Sequence, residues 1–168
     1  DYAVGYMWGT TGMLFNTRYV TLDEASTWGT LHNKKFEKKI FIKDAFRDVY
    51  GPMLIYLRQK ELADGTTTLE KLMYDSSDES IADVEAFLKG AKHLVAGWEA
   101  DFGKEMMTKE EAYINLTWSG DAVWAIEEAA EVNVELDYIV PKEGSNVWFD
   151  GWVIPKYAKN VKAARYFI

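Results

Sequence analysis

The sequence predicts an α/β domain in which helices flank a largely parallel sheet. Three observations lead to this. Short apolar runs of strand character alternate with stretches whose apolar residues recur at helical spacing. With 168 residues, 48% of them hydrophobic, the chain is long and apolar enough to bury one core. No internal repeat, low-complexity tract or Gly/Pro-rich linker divides it.

The elements follow in order. "AVGYMWG" (3–9) and "GMLFN" (12–16) read as buried strands separated by a Gly-Thr-Thr-Gly break. "STWGTLHN" (26–33) reads as a short turn or helix capped by Ser26 or Thr27. A strand at 39–43 leads into a helix from about Asp44 to Leu62, interrupted or kinked near Gly51-Pro52. "ADGTTT" is a loop. Ser80-Ile-Ala-Asp83 resembles a capping box, followed by Ile81, Val84, Phe87, Leu88, Ala91, Leu94 and Val95 at helical spacing. Thr108-Lys-Glu-Glu111 is a second box, expected to open a short helix. Strands are expected at 112–118, at 134–140 ending at Pro141, and over "VWFDGWVI"; helices are expected at 121–131 and from Lys156 onward.

Composition excludes several classes. A net charge of −8 argues against nucleic acid as a partner, because that binding rests on Lys and Arg contacts to phosphate. There is no cysteine, which removes disulfides, thiolate chemistry and zinc–sulfur sites. His32 and His93 are isolated, with no second ligand at metal spacing, and neither Gly-x-Ser-x-Gly nor a P-loop is present. No metal, cofactor or enzymatic activity is expected. There is no run of 18 apolar residues and no basic region followed by an apolar one, so neither a membrane span nor a signal peptide is read here. The chain starts at Asp and stops within the helical pattern "AARYFI", so it is expected to be a piece of a longer protein.

What remains is a set of polar and aromatic residues where strands end. Asp44, Arg47 and Asp48 follow one strand; Trp118, Ser119 and Asp121 follow another; Trp148 and Asp150 lie in "NVWFDGWVIP". In open α/β sheets ligands sit beyond the carboxyl ends of strands, so these three ends are expected to converge on one cleft. Each residue also has a purely structural reading. Asp44, Asp48 and Asp121 are acids at helix starts, which the helix dipole favours by itself, and Asp48 has Arg47 or Lys43 as ready partners. Trp118 and Trp148 read equally as core residues. Asp150 is harder to dismiss: a carboxylate in an apolar run is costly to bury unpaired, and Lys142 and Lys156 lie outside that run. Aspartates with tryptophans suit an alkyl polyamine, whose ammonium groups need carboxylates and whose methylenes pack on indole faces. A sugar also stacks on Trp and hydrogen-bonds to Asp, and paired carboxylates also serve hydrolases. Composition does not separate these.

The order "YMWGTTGMLFN", "STWGTLHNKKFEKKIFIKDAFRDVY", "INLTWSGDAVWAI" and "IVPKEGSNVWFDGWVIPKYAKNVKAARYFI" resembles the spermidine/putrescine-binding proteins of polyamine ABC transporters, nearly end to end and weakest from about 60 to 110. The resemblance implies a periplasmic-binding-protein-like lobe. Residues 1–168 would be the second of two lobes that trap a polyamine between them, with the first lobe mostly absent. It implies that Trp118 and Trp148 stack on the ligand, that Asp150 and Asp48 receive ligand amines, and that the partner of Asp150 is the ligand's ammonium. Some members carry a second acid three residues before Asp48, where this chain has Ala45; Asp44 is adjacent but would point about 100° away around a helix. It further implies an ABC permease as partner, peripheral membrane association through the full-length protein, and an extracytoplasmic location in the periplasm or at the cell surface, with a lipid anchor as one means of attachment. A binding protein for a sugar or amino acid, and a carboxylate-based hydrolase, are the alternative readings.

Overall fold

The computed structural model describes residues 3–168, which form two compact units. The larger spans Thr10–Asn146; the smaller joins residues 3–9 to Val147–Ile168.

The larger unit is the expected α/β layer structure. In chain order its elements are the end of β1 (Val4–Asn16), α1 (Leu22–Ala25), two 3-10 turns (Trp28–His32 and Lys34–Phe36) and β2 (Ile40–Lys43). These are followed by α2 (Phe46–Leu57), α3 (Gln59–Ala63), α4 (Leu69–Tyr74), α5 (Asp78–Ala91) and β3 (Val95–Glu99). Last come α6 (Gly103–Thr108), β4 (Ile114–Trp118), α7 (Ser119–Glu131) and β5 (Leu136–Ile139). The strand order is β3-β2-β4-β1-β5. β2 pairs parallel with β3 and β4, while β1 runs antiparallel to β4 and β5. Both faces of the sheet are covered, as its apolar strands require. Met13, Phe15, Ile40, Ile42, Ile114 and Leu116 pack with Val49, Met53 and Leu54 of α2 and Val84 of α5. On the other face Leu14 meets Ala122, Ala125 and Ala129, whose small side chains let α7 lie close to the sheet.

Several local expectations change. β1 is one strand through Gly9-Thr-Thr-Gly12, because β-branched threonines suit extended backbone and Gly12 admits the ring of Tyr138. A Cβ at Gly12 would lie 2.5 Å from Tyr138 Cζ and 2.7 Å from the Ile139 carbonyl. α2 starts at Phe46, so Asp44 precedes the helix, and α2 continues through Pro52, which leaves the Asp48 carbonyl without a helical N–H. α5 is capped by Ser77, while the Ser80 hydroxyl donates to Asp75 (2.6 Å). Leu94 and Val95 match the helical spacing only by count: Val95 opens β3. Thr108 closes α6 by donating to the Glu105 carbonyl (2.9 Å), and Glu110 turns the chain with φ 55°. The helix α4 was not anticipated; Thr68 caps it by accepting from Lys71 N–H.

In the smaller unit β6 (Val147–Trp152) pairs with the start of β1, and α8 (Val161–Phe167) starts later than expected. Trp152 contacts Tyr6 at 4.9 Å and Phe167 at 5.4 Å between ring centroids. β6 is not the buried strand its composition suggests: Phe149 is 78% exposed, and Asp150 is exposed as well.

Two outcomes are expected. Gly12→Ala should destabilise the fold by about 1–3 kcal/mol in urea unfolding, because the methyl overpacks against Tyr138; unchanged stability would show that the ring moves away freely. Asp75 is held below the ordinary carboxylate range by the Ser80 hydroxyl and then the Ser77 N–H. A depressed carboxylate stabilises the fold above its unfolded-state pKa and loses that contribution as pH falls through its folded-state value. Asp75→Asn should therefore lower the melting temperature at neutral pH, and the gap to wild type should close on acidification; a gap independent of pH would exclude the charge as its source.

Candidate functional site

The carboxyl ends of the parallel strands β2 and β4 lie on the same edge of the sheet, and the loops leaving them carry the candidate residues. β4 ends at Trp118, which α7 uses as its cap position. Thr11 of β1 stands opposite Trp118 in the antiparallel register. Its neighbour Thr10 donates its N–H to Ser119 Oγ (3.2 Å), and the Thr10 and Tyr138 hydroxyls share a hydrogen bond (3.0 Å).

Thr11 also connects this strand end to α2. Its hydroxyl donates to Asp48 Oδ1 (3.3 Å), which accepts a second hydrogen bond from Asn146 Nδ2 (3.0 Å). Asn146 is placed by the segment before it. Glu143 accepts from the Thr27 hydroxyl (2.5 Å), the Trp28 indole donates to the Gly144 carbonyl (2.9 Å), and Gly144 turns the chain with φ 100°, a conformation suited to glycine. Asp48 sits in the first turn of α2, so the dipole reading also holds. Its expected partners do not: among the described residues no Lys or Arg lies within ion-pair distance of Asp48, and Lys43 is engaged elsewhere. The half-buried carboxylate is oriented by two neutral donors and lacks a cation.

Lys43, at the end of β2, is 1% exposed. Its Nζ donates to Asp121 Oδ2 (2.9 Å) and Glu99 Oε1 (3.3 Å) and lies 4.0 Å from the centroid of the Trp118 ring. Glu99 also accepts the Gly103 N–H (3.1 Å), and Asp121 receives Lys104 (3.4 Å). Beside this cluster, both polar atoms of the Asn115 amide and the Thr117 hydroxyl are buried without a hydrogen-bond partner among the described residues. Asn115-Leu-Thr117 matches a glycosylation pattern, which a burial this complete discounts.

The structure thus brings together Asp48, Trp118 and Ser119 around β1, where Thr11 bonds Asp48 and stands opposite Trp118 and Thr10 bonds Ser119. Asp44 is set apart from them: it is exposed, its N–H donates to the Glu99 carbonyl (2.7 Å), and it lines a cleft of about 220 Å³ with Phe46, Val49, Tyr50 and Trp98. Because it precedes α2, the helical angle between it and Ala45 does not apply. Trp148 and Asp150 belong to the smaller unit. Trp148 Nε1 is buried with no acceptor, and no cation lies within ion-pair distance of Asp150, both among the described residues. No cluster of metal-ligating side chains occurs among the described residues.

Sequence reading misses Thr11 and Asn146, and names Lys43 only as a partner for Asp48. The first sits in the stretch taken as a break, and the second precedes the tryptophan that drew attention. Lys43 ends an apolar strand, an unusual place for a lysine and the one signal that was available.

Known proteins share this fold. The whole chain, residues 1–168, matches the family described as bacterial extracellular solute-binding protein. The spermidine/putrescine-binding periplasmic protein of Escherichia coli strain K12 is 25% identical over 167 residues, which cover 98% of this chain and 42% of that protein. A solved structure from Listeria monocytogenes superimposes with a TM-score of 0.81 at 30% identity, covering 99% of this chain and 46% of its own. The spermidine/putrescine ABC transporter substrate-binding protein of Streptococcus pneumoniae gives a TM-score of 0.75 at 28% identity, with 99% and 46% coverage. The chain therefore spans under half the length of the relatives it matches. With the match running through every residue and the fold shared, this chain belongs to the bacterial extracellular solute-binding protein family.

Proposed function

We propose that residues 1–168 form one lobe of the substrate-binding component of an ABC importer, which captures polyamines of the spermidine/putrescine class outside the cytoplasm and delivers them to a membrane permease. The observation that carries this is the carboxylate of Asp48, oriented by Thr11 and Asn146 and left without a cation among the described residues, with Thr11 standing opposite Trp118 in the strand register. A carboxylate prepared in this way is a receptor for an ammonium group, and the adjoining indole packs against the alkyl chain. Asp150 and Trp148 repeat the pairing of acid and indole within β6. The names of the relatives in Escherichia coli and Streptococcus pneumoniae support polyamine as the ligand class. On this reading Asp44 takes no ligand amine.

The proposed mechanism is closure of two lobes on the ligand. Contacts made from both sides favour the closed state, and exclusion of water strengthens each charge-assisted hydrogen bond. No residue of the site has to act as a nucleophile or exchange a proton.

Calorimetry on the full-length protein tests this. Putrescine or spermidine should bind, while glucose and neutral amino acids should not; sugar binding without polyamine binding would overturn the proposal. Asp48→Asn and Asp150→Asn should each weaken polyamine binding by about 2–5 kcal/mol, the cost of leaving a buried ammonium unpaired. An affinity equal to wild type removes that residue from the site.

A further inference from the structure

We infer that Lys43 is a specificity-determining positioning residue of the polyamine site: it fills the cation-attracting face of Trp118, so that the ring receives an uncharged stretch of the ligand. The inference rests on the proposed polyamine function and adds a residue that neither composition nor resemblance singled out.

A lysine ammonium has three N–H donors and no acceptor. Two of these in Lys43 are met by Asp121 Oδ2 (2.9 Å) and Glu99 Oε1 (3.3 Å), and the ring of Trp118, 4.0 Å away, takes the remaining side of the charge. The ammonium is 1% exposed and Glu99 is equally enclosed, so this arrangement is fixed before any ligand arrives. An aromatic ring attracts a cation through the negative potential of its face. Here the protein supplies that cation, and its charge reduces the attraction of the rest of the ring for a second one. The half-buried Trp118 keeps ring surface beyond Lys43, suited to methylene groups, while the nearby uncompensated carboxylate is Asp48. Charge and hydrocarbon along the ligand are thereby assigned to different side chains.

The same cluster also braces the fold, since Glu99 holds the Gly103 N–H and Asp121 holds Lys104. A brace alone would change all ligands alike. Spermidine and 1,8-diaminooctane have the same chain length and differ by one central charge, so their affinity ratio isolates the proposed effect. In the full-length wild-type protein the two should bind within about tenfold of each other, because the central ammonium gains little at Trp118. K43M/E99Q removes one charge of each sign, and it should shift the ratio toward spermidine by about ten- to thirtyfold, the size of a largely desolvated cation–π contact. K43M/D121N, which removes one charge of each sign at the less buried partner, supplies the same ratio if K43M/E99Q fails to fold by circular dichroism. A variant that changes both affinities by one factor, or leaves the ratio unmoved, overturns the role of Lys43. So does a wild-type preference for spermidine well beyond tenfold. If the wild-type protein binds neither amine, the polyamine proposal falls instead.

Discussion

The enclosed ammonium of Lys43 is the contact on which the geometry of the candidate site depends. It joins the ends of β2, β3 and β4 and the first turn of α7 through Glu99, Asp121 and the Trp118 ring. A buried charge of this kind is tolerated only when its partners are complete, and removing one partner costs far more than the pair contributes. The strand ends that carry the site therefore cannot shift independently. Trp118 is held from beneath by a charge, from β1 by the register of Thr11, and at its helix by the hydrogen bond from Thr10 to Ser119.

Against this satisfied cluster, the acids without cations stand out. Asp48, Asp121 and Asp44 look alike in sequence, each an acid at a helix start. Folding separates them by partner. Asp121 is neutralised by Lys43 and Lys104, and Asp44 lies outside the helix on an exposed bend. Asp48 keeps its helix-start position but is supplied with neutral donors only. Two neutral hydrogen bonds fix the direction of a carboxylate without cancelling its charge, which is what a receptor for a cationic ligand needs. The distinction depends on which side chains long-range pairing brings near, and Asn146 lies 98 residues from Asp48.

This explains how much was legible beforehand. The α/β class was readable because alternating apolar runs report burial on both faces of a sheet, and the strands ending at Lys43 and Trp118 were placed almost to the residue. Errors fell where local signals compete. The Gly-Thr-Thr-Gly stretch carries turn residues but β-branched side chains, and pairing with β4 and β5 decides for strand. Val95 fits a helical period by count, yet its backbone is claimed by β2. Asp150 was read as a buried charge because its neighbours are apolar, whereas β6 leaves most of them in solvent. Of the site, the aromatic and acidic members could be named from the chain. Their connectors could not, because threonine and asparagine are ordinary surface residues until a carboxylate is placed beside them.

The smaller unit extends the argument. Its aromatic residues are well exposed for their size: Trp8 at 68%, Phe149 at 78% and Tyr157 at 86%. An apolar surface of this kind, bordering a strand that also carries Asp150, is unfavourable in water unless something covers it. In a two-lobe protein the remaining chain would supply that cover. Under the proposed function the aromatic surface of this unit then serves the join to the rest of the protein, while Asp48 and Asp150 serve the ligand, so hydrophobic burial and ammonium–carboxylate pairing fall to different partners.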